Sequence, residues 1–377
     1  MTNYQLIISC SFGIESIVAR ELKNLDIEDL KTENGRIEFN GNLTDMARCN
    51  VHLRCAERVY VKLAEFKATD FEQLFQGTLA INWGDMLPQN AFMHVIGKSV
   101  KSKLHSVPDC QSIVKKAIIT KMSSKYGIKT FPEDGPTFKI EISILKDIVT
   151  LSLDSSGAGL HKRGYREAGG AAPLRETLAA ALVDISRWKS HRVLADPLCG
   201  SGTIVIEAAL AARNIAAGIN RTFDFEGWGW LSDNILSDIR KNAKAAEIKP
   251  ELEILASDFD WKQFKLAREN AERAGVADSI VFQKKPISEF STKKKYGCII
   301  TNPPYGERIS DVSIAENLYI EMGQVFQKLE EWSVFVITAH ENFQKLYGCN
   351  ADKNRKLYNG KIKTYLYQYL AKLPPNT

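Results

Sequence analysis

Val193-Leu194-Ala195-Asp196-Pro197-Leu198-Cys199-Gly200-Ser201-Gly202-Thr203 joins a short apolar run to a glycine turn, and Ile204-Val205-Ile206-Glu207-Ala208-Ala209-Leu210 continues it. The order reads as strand, tight loop and helix. Gly200 and Gly202 admit positive φ and let a ligand approach the backbone closely, and the free N–H groups at the helix start suit a carboxylate. The glycine spacing is not that of the dinucleotide fingerprint. No Lys follows the glycines, as a phosphate-binding loop would require, so a ligand with a carboxylate fits better than one with a pyrophosphate.

A pocket of this kind needs an acid at the end of the next parallel strand to meet ribose hydroxyls. Leu252-Glu253-Ile254-Leu255-Ala256-Ser257-Asp258-Phe259-Asp260 supplies two, Asp258 and Asp260, either of which is also an ordinary helix N-cap. The helix that follows, over 263–274, ends at Gly275 as a left-handed cap would.

Further on, Cys298-Ile299-Ile300 leads into Asn302-Pro303-Pro304-Tyr305. The Asn302 side-chain oxygen and the Pro303 carbonyl can accept both hydrogens of an exocyclic amine, which turns the nitrogen lone pair toward an electrophile. Two prolines restrict the backbone around those acceptors, and Tyr305 offers a face for stacking. An Asn-Pro pair alone is also a common turn initiator.

The order of glycine loop, acidic strand end and Asn-Pro-Pro-Tyr resembles the amino-methyltransferase branch of the class I S-adenosylmethionine-dependent methyltransferases. Leu160-His161-Lys162-Arg163-Gly164-Tyr165-Arg166, the segment Ala172-Pro173-Leu174-Arg175-Glu176-Thr177, and Asn302 through Arg308 are similar to bacterial THUMP-domain RNA guanine-N2 methyltransferases of the RlmL/YpsC-like group. Ser106-Val107-Pro108-Asp109-Cys110-Gln111 resembles the THUMP segment, and Cys10-Ser11-Phe12-Gly13-Ile14-Glu15 the family's start, so the likeness runs nearly end to end. It implies an α/β chain: a Rossmann-like class I methyltransferase domain with a mostly parallel seven-stranded sheet, preceded by α+β ferredoxin-like and THUMP domains. The expected boundaries are 1–54, 55–160 and 161–377.

The resemblance also implies S-adenosylmethionine as cofactor, held by Asp196, Leu198, Cys199, Gly200, Ser201, Gly202, Thr203, Asp258, Phe259, Asp260, Ile287 and Asn302. Asn302, Pro303, Pro304 and Tyr305 would form the catalytic loop. The implied partner is RNA, 23S ribosomal RNA, with Lys115, Lys116, Arg163 and Arg166 as candidate phosphate contacts. Relatives place an acid or amide near Pro286 or Ser288 for the cofactor's adenine; here Gln283-Lys284-Lys285-Pro286-Ile287-Ser288 offers only a backbone group beside Ile287, or Ser288. Two other readings stay open: an adenine-N6 methyltransferase acting on DNA, and a non-catalytic RNA-binding or assembly factor.

Composition agrees with a globular chain of two or three units: 377 residues, 44% hydrophobic and 25% charged. The absence of a signal-peptide pattern or an apolar run of about 18 residues makes the cytoplasm the expected location. Seven scattered Cys without Cys-x-x-Cys spacing argue against a disulfide framework and a zinc site, and Cys199 reads as a buried filler rather than a nucleophile. Net charge is only +5, but residues 98–129 hold eight Lys against Asp109 alone, a balance suited to phosphate backbone. The Ser/Gly-rich 154–159 reads as the crossing into the catalytic domain, Pro173 as a first-turn helix residue, and Asn359-Gly360 as a type I′ hairpin turn. Phe223, Phe225, Trp228 and Trp230 lie in a long insertion between Gly202 and Asp258, and read either as a stacking platform for an unpaired base or as a cap over the helix behind the cofactor.

Overall fold

The structure is a computed structural model and describes residues 3–166, 174–305 and 309–372. The expected Pro173 helix start and residues 306–308 of the catalytic loop lie outside the described residues.

Two seven-stranded sheets organise the chain. The first contains β1 (Tyr4–Cys10), β2 (Lys31–Glu33), β3 (Arg36–Gly41), β4 (Ala56–Lys67), β5 (Phe92–Val100), β6 (Thr137–Leu145) and β7 (Ile148–Asp154), in the order β2-β3-β1-β4-β7-β6-β5. The ferredoxin-like and THUMP halves therefore share one continuous sheet. β4 is the reason: its first half pairs with β1 and its second with β7, across a register shift between Lys62 and Ala64. Alternation is plain in β6, where Phe138, Ile140, Ile142 and Ile144 are buried and the residues between them are not, as a sheet with one packed face requires. The helix Val107–Tyr126 covers that face and stops at Gly127, whose φ of 69° makes it a left-handed cap.

The second sheet comprises β8 (Leu194–Asp196), β9 (Ile254–Asp258), β10 (Ile280–Lys284), β11 (Cys298–Thr301), β12 (Ser333–Thr338), β13 (Lys353–Asn359) and β14 (Ile362–Tyr369). Its order is β10-β9-β8-β11-β12-β14-β13, parallel through the first five and closed by an antiparallel hairpin. The central parallel strands are buried on both faces, so β11 and β12 read as unbroken apolar or small-residue runs, whereas β10 at the edge is largely exposed. The hairpin turn differs from the expected type I′. Asn359 pairs with Ile362, so the two-residue loop is Gly360-Lys361, and only Gly360 has positive φ (63°), the pattern of a type II′ loop. No helix among the described residues is long and apolar enough to cross a membrane.

The two halves are packed together rather than tethered. Residues 151–157 are all buried, and Arg221 donates to the Ala158 and Gly159 carbonyls at 2.6 and 3.0 Å. Asn50, wholly buried, bonds Ser155 and Ser156, and Gly218 N–H reaches the Val51 carbonyl at 2.8 Å. A Cβ on Gly218 would stand 2.5 Å from the Asn50 carbonyl oxygen, so only glycine allows this approach. Glu57 at the end of β1's partner strand takes bonds from Thr177 (2.8 Å) and Arg175 (3.1 Å). Burial pushes its carboxyl up, but hydrogen bonds from His161 and Thr177 and the Arg175 charge outweigh it and hold it at about 2.

The aromatic insertion supplies the rest of this interface, which corrects both expectations for it. Phe223, Phe225 and Trp228 are buried; Trp228 stacks on Phe138 of β6 at 5.2 Å and donates its indole N–H to the Thr137 carbonyl at 2.9 Å. Trp230 stacks on Tyr4 and donates to the Met86 carbonyl. Trp228 and Trp230 join the catalytic half to the THUMP sheet, and Phe223 and Phe225 stack on each other in the interior. Trp228→Ala should cost about 3–5 kcal/mol, through lost burial and an orphaned Thr137 carbonyl. Urea denaturation would measure it, and a midpoint equal to wild type would mean the ring carries no interdomain load.

Candidate active site

Chain order reverses across the second sheet between β8 and β11, and crevices of open α/β sheets form at the carboxyl ends of strands at such a switch point. β8 and β11 are direct neighbours, with Cys298 beside Leu194 and Ile299 beside Ala195. The glycine loop leaves the end of one and Asn302-Pro303-Pro304-Tyr305 leaves the end of the other. The Thr301 hydroxyl donates to Asp196 Oδ1 at 2.7 Å, which ties the two loops together at their roots.

Asp196 is 2% exposed, and the Leu198 N–H also donates to its Oδ1 at 3.2 Å. Burial pushes this carboxyl up to about 7, against the two hydrogen bonds and with a contribution from Asp258. No cationic side chain enters that balance, so a ligand bringing its own positive charge would relieve the site. Beyond it, Cys199 N–H bonds the Ser257 carbonyl (2.9 Å), and burial pushes the Cys199 thiol far above its usual range, as an inert filler. The two glycines have different work. Gly200 (φ 51°) faces open space, with no atom within 4 Å of where a Cβ would stand, whereas a Cβ on Gly202 (φ 81°) would meet Ala267 Cβ at 3.1 Å. Gly200 thus leaves room for a ligand, and Gly202 lets the helix Trp261–Arg273 pack against the loop.

The helix Thr203–Ala212 then begins with Thr203 Oγ1 3.2 Å from Ser201 Oγ. Asn270, 1% exposed, donates to the Ser201 carbonyl at 2.9 Å and braces the loop from behind. An open side above Gly200, free helix N–H groups and the buried Asp196 carboxyl together suit an amino-acid-like ligand with a nearby positive charge.

Asp258 also braces the loop. Its Oδ2 accepts from Gly200 N–H at 3.0 Å and its Oδ1 from Asp260 N–H at 2.9 Å, so both oxygens brace backbone. Asp260 caps the next helix through Lys262 N–H at 2.8 Å with one oxygen. The other oxygen makes no bond to the described residues, which leaves Asp260 the better placed of the two for a hydroxyl. Phe259 between them is 68% exposed. Past the adjoining strand, Lys285 N–H bonds the Asp258 carbonyl at 3.2 Å, and the buried Ile287 opens a 3-10 turn, Ile287–Glu289, whose other two residues are exposed.

In the catalytic loop, the Tyr305 hydroxyl donates to Asn302 Oδ1 at 2.5 Å, which orients the amide and occupies one of its two lone pairs. Pro303 is buried and Pro304 exposed. Tyr319, on the helix Ile309–Phe326, donates to the Pro304 carbonyl at 2.7 Å and lies 3.1 Å from Thr338 Oγ1 at the end of β12. The Pro304 carbonyl is thereby turned into the protein, and the Pro303 carbonyl is the one left to act beside Asn302. Neither Tyr319 nor Asn270 stands out in the sequence, because each lies mid-helix in a segment with no motif of its own.

The candidate phosphate contacts divide. Arg163 is 5% exposed, donates to the Leu160 and Arg54 carbonyls and lies 3.5 Å from Glu207, so it is an internal tie and not a phosphate contact. Arg166 forms a two-point pair with Glu176 (2.8 and 2.6 Å) and reaches Thr203 Oγ1 at 3.3 Å, so its charge is neutralised beside the glycine loop. Lys115 pairs with Glu133 at 2.7 Å, and Lys116 is exposed with its ammonium 5.8 Å from the Phe75 ring.

Comparison with known proteins agrees with this architecture. Residues 5–60 match the RlmL ferredoxin-like domain, 68–154 the THUMP domain and 163–368 the RMKL-like methyltransferase domain. The chain is 48% identical to the Bacillus subtilis (strain 168) protein named "Putative RNA methyltransferase YpsC", over 100% of this chain and 98% of that one. A Listeria monocytogenes structure described as a predicted N6-adenine-specific DNA methylase is 47% identical, with a TM-score of 0.93 over 99% of this chain and 97% of that one. SMU.472, crystallised as a complex with SAH, is 41% identical, with a TM-score of 0.92 over 99% of this chain and 100% of that one. With its Asn-Pro-Pro-Tyr loop and glycine loop on adjoining strand ends, and a THUMP unit built into the N-terminal sheet, the chain belongs to the RMKL-like methyltransferase family.

Proposed function

We propose that this protein is an S-adenosylmethionine-dependent RNA methyltransferase that modifies the exocyclic amine of a base, guanine N2 in large-subunit (23S) ribosomal RNA. The observation that carries the reading is the Asp196–Thr301 hydrogen bond, since it seats the glycine loop and the amine-holding loop at adjacent strand ends. The THUMP match and the name of the Bacillus relative support RNA as the substrate class. Lys116 and the unpaired lysines around it remain the proposed phosphate contacts in that half.

S-adenosylmethionine would supply an electrophilic methyl on a sulfonium. Asp196, with Leu198, Cys199 and Ser201 beside it in the loop, would face the charged end, Gly200 would admit the methionine chain, Thr203 would meet its carboxylate, Asp260 the ribose, and a backbone group beside Ile287 the adenine. Asn302 Oδ1 and the Pro303 carbonyl would each accept one hydrogen of the amine, fixing its lone pair in line, and Tyr305 would hold both the amide and the base. An aromatic amine is barely basic, so positioning and two acceptors carry most of the rate. The base must leave its stack, because an amine within a helix cannot meet the methyl from behind.

A second reading, adenine N6 in DNA, is favoured by the description of the Listeria relative and by the suitability of the same loop for either amine. Incubation with methyl-labelled S-adenosylmethionine and separate RNA and DNA pools, followed by nucleoside analysis, should give N2-methylguanosine in RNA. Label found only as methyladenine in DNA would replace the first reading with the second.

Asn302→Ala should lower turnover by roughly 10²–10³-fold with cofactor affinity nearly unchanged, and Tyr305→Phe, which keeps the ring but frees the amide, should cost less. Equal turnover in Asn302→Ala would place the amine elsewhere. Asp196→Asn tests the buried carboxyl. Because burial pushes the folded carboxyl up to about 7 while the unfolded one keeps the ordinary carboxylate value of 3.8, its charge opposes folding increasingly as pH rises between those values, and fully above about 7. The variant without cofactor should therefore melt higher than wild type at pH 8, with a smaller gain at pH 5, while binding S-adenosylmethionine more weakly. A gain independent of pH would mean that Asp196 is not held in its neutral form.

A further inference from the structure

We infer that the β13–β14 hairpin, together with Phe12, is a second RNA-binding surface that grips the strand flanking the target base; this rests on the RNA reading above. Residues 353–369 contain Lys353, Arg355, Lys356, Lys361 and Lys363 and no acid. None of the five forms an ion pair with the described residues, whereas in the lysine-rich segment 98–129 Lys98, Lys115 and Lys125 are each neutralised by a carboxylate.

The register sets the pattern on the surface. Lys356 lies opposite Tyr365 and Tyr358 opposite Lys363, so two lysines and two tyrosines alternate as a checkerboard on one face. Each ammonium leans over a ring, Lys356 on Tyr358 and Lys363 on Tyr365, both at 5.4 Å. Phe12, 45% exposed, meets Tyr358 edge-on at 6.1 Å, and Lys361 stands exposed at the turn. Half-exposed rings separated by unpaired cations fit a single-stranded polyanion whose bases have faces to stack, with the lysines on phosphates and the rings on bases. An anionic lipid surface or an acidic peptide would use the charges and leave the rings without purpose.

Position gives the surface its role. β14 runs antiparallel to β12, with Tyr365 paired to Thr338, so the hairpin tip projects from the same end of the sheet as the catalytic loop. β12 alone separates β14 from β11, two strand spacings or roughly 10 Å. Thr338 and Tyr319 link that edge to the Pro304 carbonyl. RNA held here would enter the catalytic loop from the side opposite the cofactor strands.

The test uses the full chain and a fluorescein-labelled 20-nucleotide single-stranded RNA of mixed sequence, titrated at several KCl concentrations. Replacing Lys356, Lys361 and Lys363 together by Ala should weaken binding at least about ten-fold near 100 mM salt and reduce the slope of log K against log salt by about 2. Tyr358→Leu should weaken binding at least about five-fold without altering the slope. SAH affinity by calorimetry should be unchanged in both, and the single Lys361→Glu at the turn serves should the triple variant fold poorly. Wild-type affinity and slope in these variants, or a loss confined to phosphatidylserine vesicles, overturns the inference; if RNA is still methylated by wild type, the catalytic reading survives that result. Conversely, hairpin-dependent RNA binding with methyl transfer to DNA alone supports the surface and overturns the substrate assignment.

Discussion

A single buried hydrogen bond, from the Thr301 hydroxyl to Asp196, joins the two loops on which any chemistry in this protein depends. Asp196 ends β8 and Thr301 ends β11, and each is immediately followed by a loop with no regular backbone partner of its own. Without a tie at their roots, the loops would share only the register of two short strands. The tie carries an electrostatic cost: the carboxyl is shielded from water, stands near Asp258, and is held close to neutrality. A positive charge brought beside it would favour the ionised form.

Around that bond the protein spends its polar groups on holding backbone in place. Asp258 secures Gly200 and Asp260, Asn270 secures Ser201, and Tyr319 secures Pro304. Each is a side chain restraining a loop main chain, which lowers the ordering that binding would have to impose. The same economy governs the junction between the halves. Buried Asn50, Arg163 and Arg221 bond main-chain carbonyls and serines, and Trp228 inserts against β6, so the THUMP sheet is a fixed extension of the catalytic sheet. The spacing between the THUMP sheet and the Asn302 loop is thus set by packing and not by linker length.

Much of this was legible beforehand because it is local. The glycine loop, the helix C-cap at Gly275 (φ 72°), strand β7 and the buried β12 follow from periodicity and turn chemistry within a dozen residues. Roles that depend on distant partners were not legible. Arg163 and Arg166 look like phosphate ligands in a basic stretch, yet Glu207 and Glu176, tens and ten residues away, claim them. The Ser/Gly-rich crossing looks like a flexible linker and is buried, because short side chains are also what a close backbone approach requires. The aromatic insertion had composition suited to stacking on bases; only its neighbours, Phe138 and Tyr4, show what the rings stack on.

The amino-acid order by itself determined the alternation of elements, the two loops with their chemical groups, and the kinship they express, since each is written in contiguous residues whose φ preferences and polarity act over one or two turns. Tertiary structure alone decided that Asp258 braces the glycine loop, which cations find a carboxylate among the described residues, and that two loops a hundred residues apart meet. Those outcomes depend on burial and on pairing between segments distant in the chain, where desolvation and charge act through space and have no signature in local sequence.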